Sequence, residues 1–202
     1  DASGKDGTIR QVMGALNPQN CYVKSFKVPN ETELAHDYLW RVHTQVPSKG
    51  QIAIFNRSHY EDIIEPSVND LITKDQAILR CKQINDFERY LVENDITIIK
   101  FFLHISKDEQ RKRLQERILD PAKQWKVNES DIVSHRNFDK YMQAYEKILT
   151  LCNNKWAPWY IIPANGKHIR NWAISFVMLK QLEKMKLEFP RVKLDPSEFR
   201  LD

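Results

Sequence analysis

The chain has 202 residues, 42% of them hydrophobic and 29% charged, with a formal net charge of +4. That length suits a single domain with a sizeable core, and that composition excludes a disordered polymer. The longest apolar run, 96–105, is broken by Thr97, Lys100 and His104 and is too short to span a bilayer.

Cys21, Cys81 and Cys152 are widely spaced, which supplies neither a disulfide framework nor a zinc knuckle and fits free thiols in a reducing cytoplasm. The modest positive charge suits an anionic partner without separating nucleic acid from nucleotides or other polyanions.

The chain opens on Asp1-Ala2-Ser3-Gly4-Lys5-Asp6-Gly7-Thr8. A Gly-Lys pair at the mouth of a helix is phosphate-binding chemistry: backbone N–H groups point at an anion and the lysine adds charge. The segment reads as the latter part of G-x-x-x-x-G-K-[ST], with the first glycine and the strand that feeds the loop expected upstream of Asp1. It departs from that pattern at Asp6, where a Ser or Thr hydroxyl ordinarily holds Mg²⁺; Asp1 is then the nearest carboxylate for a metal. A glycine turn with a surface lysine is the plain alternative.

Downstream, strands alternate with helices. The loop continues as a helix over 8–16. Residues 21–28 alternate as a strand does. Asn30 with Glu33 signals a helix start, and the helix is expected to run 31–46, stopping at Pro47 and Gly50. Residues 51–55 read as a short buried strand. Thr73 with Gln76 opens a long helix to about Asn94, and 96–105 reads as a central strand. Ser106 with Glu109 is a third capping signature, for a helix ending at Asp120-Pro121. A polar stretch around Trp125 follows, then a helix from Phe138 to Cys152, a strand over 159–163 and a closing helix over 168–187 whose apolar, Trp-bearing face belongs to the core or to a subunit contact. Alternation of this kind predicts an α/β fold, a parallel sheet with helices on both faces, and ligands at the C-terminal edge of the strands.

That edge is where Asn56-Arg57-Ser58-His59-Tyr60-Glu61-Asp62 follows the strand 51–55. Asn56 takes the place of a metal-binding carboxylate, Arg57 suits bidentate phosphate contact, and Glu61 and Asp62 reach toward a metal or an acceptor. An ordinary turn with solvated acids is the alternative here. Arg113 and Arg117 share one helix face, where like charges repel unless an anion lies between them. Lys123 and Lys126 flank Trp125; two helices joined by a basic segment, 107–136, are read as a lid.

Together these stretches, with Gln115-Glu116-Arg117-Ile118, Asp120-Pro121-Ala122-Lys123-Gln124-Trp125, Ala157 through Asn165 and Arg170-Asn171, resemble the polyphosphate kinase 2 family across nearly the whole chain. The resemblance implies a single nucleotide-kinase-like P-loop domain over 1–202, dependent on Mg²⁺ or Mn²⁺, that moves phosphate between inorganic polyphosphate and nucleotides. It also implies a homo-oligomer, dimer or tetramer, acting on neither nucleic acid nor membranes.

Many members carry Asp where this chain has Asn56. The His-Tyr-Glu-Asp version, with His36 through His43 upstream, is similar to the subgroup that accepts both nucleoside mono- and diphosphates. The residues expected to act are Asp1, Lys5, Arg57 and Arg117 in catalysis, and Gly4 to Thr8, Arg57, Arg113, Arg117 and Lys123 on phosphate. Asn56, Tyr60, Glu61, Asp62 and Trp125 are expected on the nucleotide, and Asp1, Asn56, Glu61 and Asp62 on the metal. Two competing readings are an ATP-dependent kinase of a nucleotide or small metabolite on the same fold, and a non-catalytic polyanion-binding module. The carboxylates at the site argue against the second.

Overall fold

The computed structural model describes residues 2–188. Asp1, and with it the strand expected upstream, lies outside the described residues. The chain forms an α/β fold whose described strands pair in parallel: β1 (Cys21–Ser25) with β2 (Ile52–Asn56), and β3 (Lys100–His104) with β4 (Trp159–Pro163). Among the described residues these form two two-stranded parallel sheets, in keeping with the parallel α/β architecture expected from the alternation. Among the described residues each pair ends on an open strand edge.

The helices are α1 (Lys5–Val12), α2 (Glu31–Leu34), α3 (Trp40–His43), α4 (Glu61–Val68), α5 (Lys74–Glu93), α6 (Lys107–Leu119), α7 (Glu129–Arg136), α8 (Phe138–Leu151) and α9 (Lys167–Lys184). Two local signals are realised in full: Asn30 with Glu33 and Thr73 with Gln76 form reciprocal capping boxes at the starts of α2 and α5. The third is realised by half. The Ser106 hydroxyl accepts from the Glu109 N–H at 3.2 Å, but the Glu109 carboxylate turns instead to Arg113, 2.8 Å away.

The helix expected over 31–46 is broken into α2 and α3. Asp37 Oδ1 accepts from the N–H groups of Leu39 at 2.9 Å and Trp40 at 3.1 Å. An aspartate that satisfies the next N–H groups in this way offers the backbone an alternative to the helix ladder.

The core lies between α4, α5 and α8, built on Ile63, Ile64, Val68, Cys81, Ile84, Ile148 and Cys152, with Tyr60 at its top. It therefore sits directly beneath the segment that follows β2. α4 contains Pro66, which has no N–H for the carbonyl four residues back. That carbonyl, of Asp62, accepts instead from the Arg80 guanidinium of α5, so the helix carrying Glu61 and Asp62 keeps its first turn despite the proline. α9 buries Arg170 and Ile174, while Trp172 and Phe176 stack on its exposed face. Among the described residues no helix is long and apolar enough to cross a membrane.

Candidate active site

The opening loop and the segment after β2 meet at the C-terminal edge of β2. Gly4 caps α1 in the left-handed region at φ 98° and gives no side-chain cap. A helix N-terminus of this kind presents backbone N–H groups and the positive end of its dipole to an anion. Arg57 also lies in the left-handed region, at φ 65°, a conformation that is strained for a residue with a Cβ and marks functional turns.

Asn56, the last residue of β2, reaches back to the loop: its Nδ2 donates to Asp6 Oδ1 at 2.8 Å. Arg57 Nη1 lies 3.6 Å from Glu61 Oε2 and 3.9 Å from Glu65 Oε1. The Lys5 ammonium is pushed below its ordinary value, by burial first and then by Arg57, with Glu61 and Asp6 pulling the other way and Arg117 adding to the depression. Lys5, Asp6, Arg57, Glu61 and Arg117 thus share one electrostatic neighbourhood. The Glu61 carboxyl is held above its ordinary range by burial, against the pull of Arg57 and Lys5. Displaced titrations of this kind concentrate where charge is to be handled. Arg117 is steadied by Asp131 of α7 at 3.3 Å.

Several expected residues are placed differently. Arg113, expected on the polyanion, turns its guanidinium into the protein. All five of its N–H groups are already used: Nε on Glu109, Nη1 on the carbonyls of Ala2 and Ser3, and Nη2 on those of Ala164 and Asn165, at 2.6–3.1 Å.

Tyr60, expected on the nucleotide, also points inward. It is buried, its hydroxyl donates to Glu88 Oε1 at 2.8 Å, and its ring meets Trp159 edge-on. Asp62 is gripped by buried Arg41, whose Nη2 reaches both carboxylate oxygens at 3.2 and 3.1 Å, so its charge is balanced within the protein. Lys123 pairs with Asp120 at 2.6 Å on the surface, and Trp125 is exposed beside it.

Three participants had no role assigned from the sequence. Arg41 and Arg80 converge on Asp62, and beside them is a cavity of about 170 Å³ lined by Glu33, His36 and Tyr38 among others; the Arg80 guanidinium lies 5.1 Å over the Tyr38 ring. Pro66 was the available signal for Arg80, since an orphaned carbonyl needs a donor. Glu88 is wholly buried and binds His59, Tyr60 and Lys100. Because an ionised carboxylate only accepts, His59 Nε2 is assigned the proton. The signal here was an acid on α5 and a lysine inside an apolar strand.

Among the described residues no three His, Cys, Asp or Glu side chains gather into a preformed metal cage. Mg²⁺ is commonly bound through only one or two carboxylates, with water and substrate phosphates completing its shell. The exposed Asp6 carboxylate, oriented by the Asn56 amide, and the nearby Glu61 are hard oxygen donors that fit that mode.

The sequence profile of the family described as Polyphosphate kinase 2 matches residues 1–190. An AMP/ADP-polyphosphate phosphotransferase of Meiothermus ruber is 50% identical over 191 residues, covering 95% of this chain and 72% of that protein. An ADP-polyphosphate phosphotransferase of Rhodopseudomonas palustris is 41% identical over 202 residues, covering 94% of this chain and 70% of that one. The crystal structure of Polyphosphate Kinase 2 from Arthrobacter aurescens TC1 superposes with a TM-score of 0.95 at 38% identity, over 98% of this chain and 70% of its own. With the match running over nearly its whole length, the chain belongs to the polyphosphate kinase 2 family.

Proposed function

We propose that this protein transfers a phosphoryl group from the end of inorganic polyphosphate to nucleoside mono- and diphosphates, AMP to ADP and ADP to ATP, and catalyses the reverse. The carrying observation is that the Asn56–Asp6 hydrogen bond joins the loop at the N-terminus of α1 to the β2 edge, where Arg57 lies beside Glu61; the charges of Arg57, Glu61, Asp6 and Arg117 all act on Lys5. Relatives named as AMP/ADP- and ADP-polyphosphate phosphotransferases support the same reading.

Phosphoryl transfer has a loose transition state, so catalysis is mostly positioning and charge neutralisation. The anhydride P–O bond of the terminal phosphate breaks as a new P–O bond forms to the acceptor oxygen, and the shortened chain leaves with the bonding electrons. The loop 4–8 holds the phosphate chain through its backbone N–H groups, with Lys5 on the transferred group. Arg57 and Arg117 neutralise the charge that accumulates on the oxygens in flight.

The acceptor phosphate is ionised at neutral pH, so no strong base is required. Glu61 stands on the acceptor side, and the cavity beside Asp62 takes the nucleoside. Asp1, Asp6 and Glu61 are the carboxylates that would hold Mg²⁺, which would supply positive charge against the phosphate oxygens. The helices of 107–136 cover the chain and exclude water, and α6 places Arg117 beside it.

The test is to incubate the full-length protein with Mg²⁺ and long-chain polyphosphate, offering AMP alone and ADP alone, and to separate the products by chromatography. ADP from AMP and ATP from ADP support the dual-acceptor reading. Product from one acceptor alone overturns the dual specificity. Turnover only with ATP as donor overturns the polyphosphate reading in favour of an ATP-dependent kinase. Salt-sensitive polyphosphate binding without turnover overturns it in favour of a polyanion-binding module.

A further inference from the structure

Two buried arginines grip the backbone of the opening loop from the side away from solvent. Arg113, on α6, donates through Nη1 to the Ala2 carbonyl at 3.0 Å and the Ser3 carbonyl at 3.1 Å, and through Nη2 to the carbonyls of Ala164 and Asn165, just past the end of β4. Arg170, on α9, donates through Nη1 to the same Ser3 carbonyl at 3.1 Å. Its Nε and Nη2 both hold Asn171 Oδ1, at 3.1 and 3.0 Å, which sets the plane of the fork. Arg113 is 8% exposed and Arg170 3%. Neither guanidinium is a surface charge awaiting a ligand.

The loop these carbonyls belong to has an unusual shape. Ala2 lies at φ 60° and Gly4 at φ 98°, so two left-handed residues flank Ser3. Backbone of that kind forms concave anion-binding nests, and a non-glycine residue stays in the left-handed region only where its surroundings over-determine it. Arg113 holds the Ala2 carbonyl directly. Arg170 lies so close under Gly4 that a Cβ there would collide with its guanidinium. Glycine at this position therefore answers to the arginine beneath it as well as to its own dihedral angle.

The arrangement also places two cations together. The Arg170 guanidinium is pushed below its ordinary value by burial and then by Arg113, a repulsion that an anion seated on the loop would relieve. Glu109 serves the clasp as well: its carboxylate leaves the capping box half-made and takes Arg113 Nε.

We propose that Arg113 and Arg170 are positioning residues for the donor phosphate chain: gripping the Ala2 and Ser3 carbonyls, they hold the loop so that its N–H groups meet polyphosphate. This role rests on the polyphosphate reading above. The clasp joins the loop to α6, to α9 and to the end of β4, so the element that carries Arg117 and the element that binds phosphate move as one piece. The side chains act through the backbone and do not touch the substrate, which separates their role from that of Lys5 and Arg57.

The experiment uses the full-length protein and three variants: Arg170→Lys, Arg170→Met and Asn171→Ala. Binding of inorganic tripolyphosphate is measured by calorimetry, KM for polyphosphate and for AMP separately, and Tm by scanning. Lysine keeps the charge but cannot reach Ser3 and Asn171 together as a fork does, so both Arg170 variants are expected to lose about 10²-fold in kcat/KM for polyphosphate. Tripolyphosphate binding weakens in parallel, while KM for AMP and Tm stay near the wild-type values. Asn171→Ala leaves the Ser3 contact in place and loosens only the fork, giving a smaller loss in the same direction.

Wild-type donor kinetics in Arg170→Lys or Arg170→Met overturns the proposal. So does a fall in Tm with both KM values unchanged, which is the signature of a purely structural residue. If neither Arg170 variant folds, Asn171→Ala decides: a selective rise in polyphosphate KM supports the clasp, and no change overturns it. Wild-type protein that binds tripolyphosphate but does not turn over polyphosphate overturns the functional reading and leaves the clasp standing on the binding data; failure of the wild-type protein to bind tripolyphosphate overturns both.

Discussion

Lys100 Nζ and Glu88 Oε2 form an ion pair of 2.6 Å in which the side chains are only 6% and 0% exposed. The lysine also donates to Tyr60 Oη and to the Cys152 carbonyl, each at 2.9 Å, and the second glutamate oxygen takes His59 and Tyr60. The pair thereby fastens the segment between β2 and α4, through His59 and Tyr60, to α5 and β3. Removing one partner of a buried pair strands the other charge, so Glu88→Ala is expected to cost about 3–5 kcal/mol in urea denaturation. Glu88→Met combined with Lys100→Met should recover part of that loss, because no buried charge then remains uncompensated. A double variant no more stable than Glu88→Ala would count against this account.

The same carboxylate sets an acid limit on stability. Burial pushes the Glu88 carboxyl up, but the hydrogen bond and charge of His59 and the ion pair with Lys100 outweigh it, and the group titrates below its ordinary 4.5. As pH falls, the unfolded chain takes up this proton before the folded one does. The stabilisation from Glu88 is therefore complete above pH 4.5 and is lost as pH drops through the folded-state value. Urea midpoints measured across that range should fall more steeply for the wild type than for Glu88→Gln; parallel curves would remove Glu88 from the explanation.

Arg57 separates stability from activity. Its φ of 65° is costly for any residue with a Cβ, so Arg57→Gly should be more stable than Arg57→Ala by about 1 kcal/mol. Both should lose about 10²–10³-fold in kcat, the usual effect of removing one donor to a transition-state anion. Equal melting temperatures for the two variants, or near-normal turnover in either, would show that the strain or the role has been misread.

Asn56 and Asp6 give a test that involves metal. The amide donates to the carboxylate at 2.8 Å, and Asn56→Asp would set two carboxylates against each other. We expect a Tm lower than wild type in the presence of a chelator, and a larger gain from Mg²⁺ than wild type shows, because a divalent cation turns the repulsion into coordination. An unchanged response of Tm to Mg²⁺ would place the metal away from this pair.

Asp62 is tied to Arg41 by two hydrogen bonds, so Asp62→Asn should lower stability by about 1.5–3 kcal/mol, the range for hydrogen bonds to a charged group. If the adjoining cavity receives the nucleoside, KM for AMP rises in this variant while KM for polyphosphate holds. Equal changes in both would assign Asp62 to the scaffold alone.

Much of this arrangement can be read from neighbours in the chain. The strands 52–56, 100–104 and 159–163 fall within or at the expected stretches, and Asn30 and Thr73 cap the helices they were expected to cap. These features depend on contacts between residues one to four positions apart, where side-chain type and spacing carry the physics. The break after α2 is also local, but it depends on whether Asp37 bonds its own following backbone or faces solvent, and the pattern of residue types does not distinguish the two.

The charged residues divide differently. Lys5 and Arg57 could be marked from sequence because a Gly-Lys turn and a polar string at a strand end each imply a position at the same sheet edge. Arg113, Tyr60 and Lys100 could not be placed that way. An arginine is equally suited to phosphate or to four carbonyls, a tyrosine to a base or to a buried glutamate, and a lysine in a strand to solvent or to an acid on a distant helix. Their partners lie 12 to 111 residues away, and only packing α4, α5, α6 and α9 around the two strand pairs decides which is within hydrogen-bond reach. Residue types and spacing thus indicate an α/β phosphate-handling chain and put Lys5 and Arg57 at one sheet edge. Which arginines hold the backbone is decided by burial, because a guanidinium removed from water must find its acceptors within the protein.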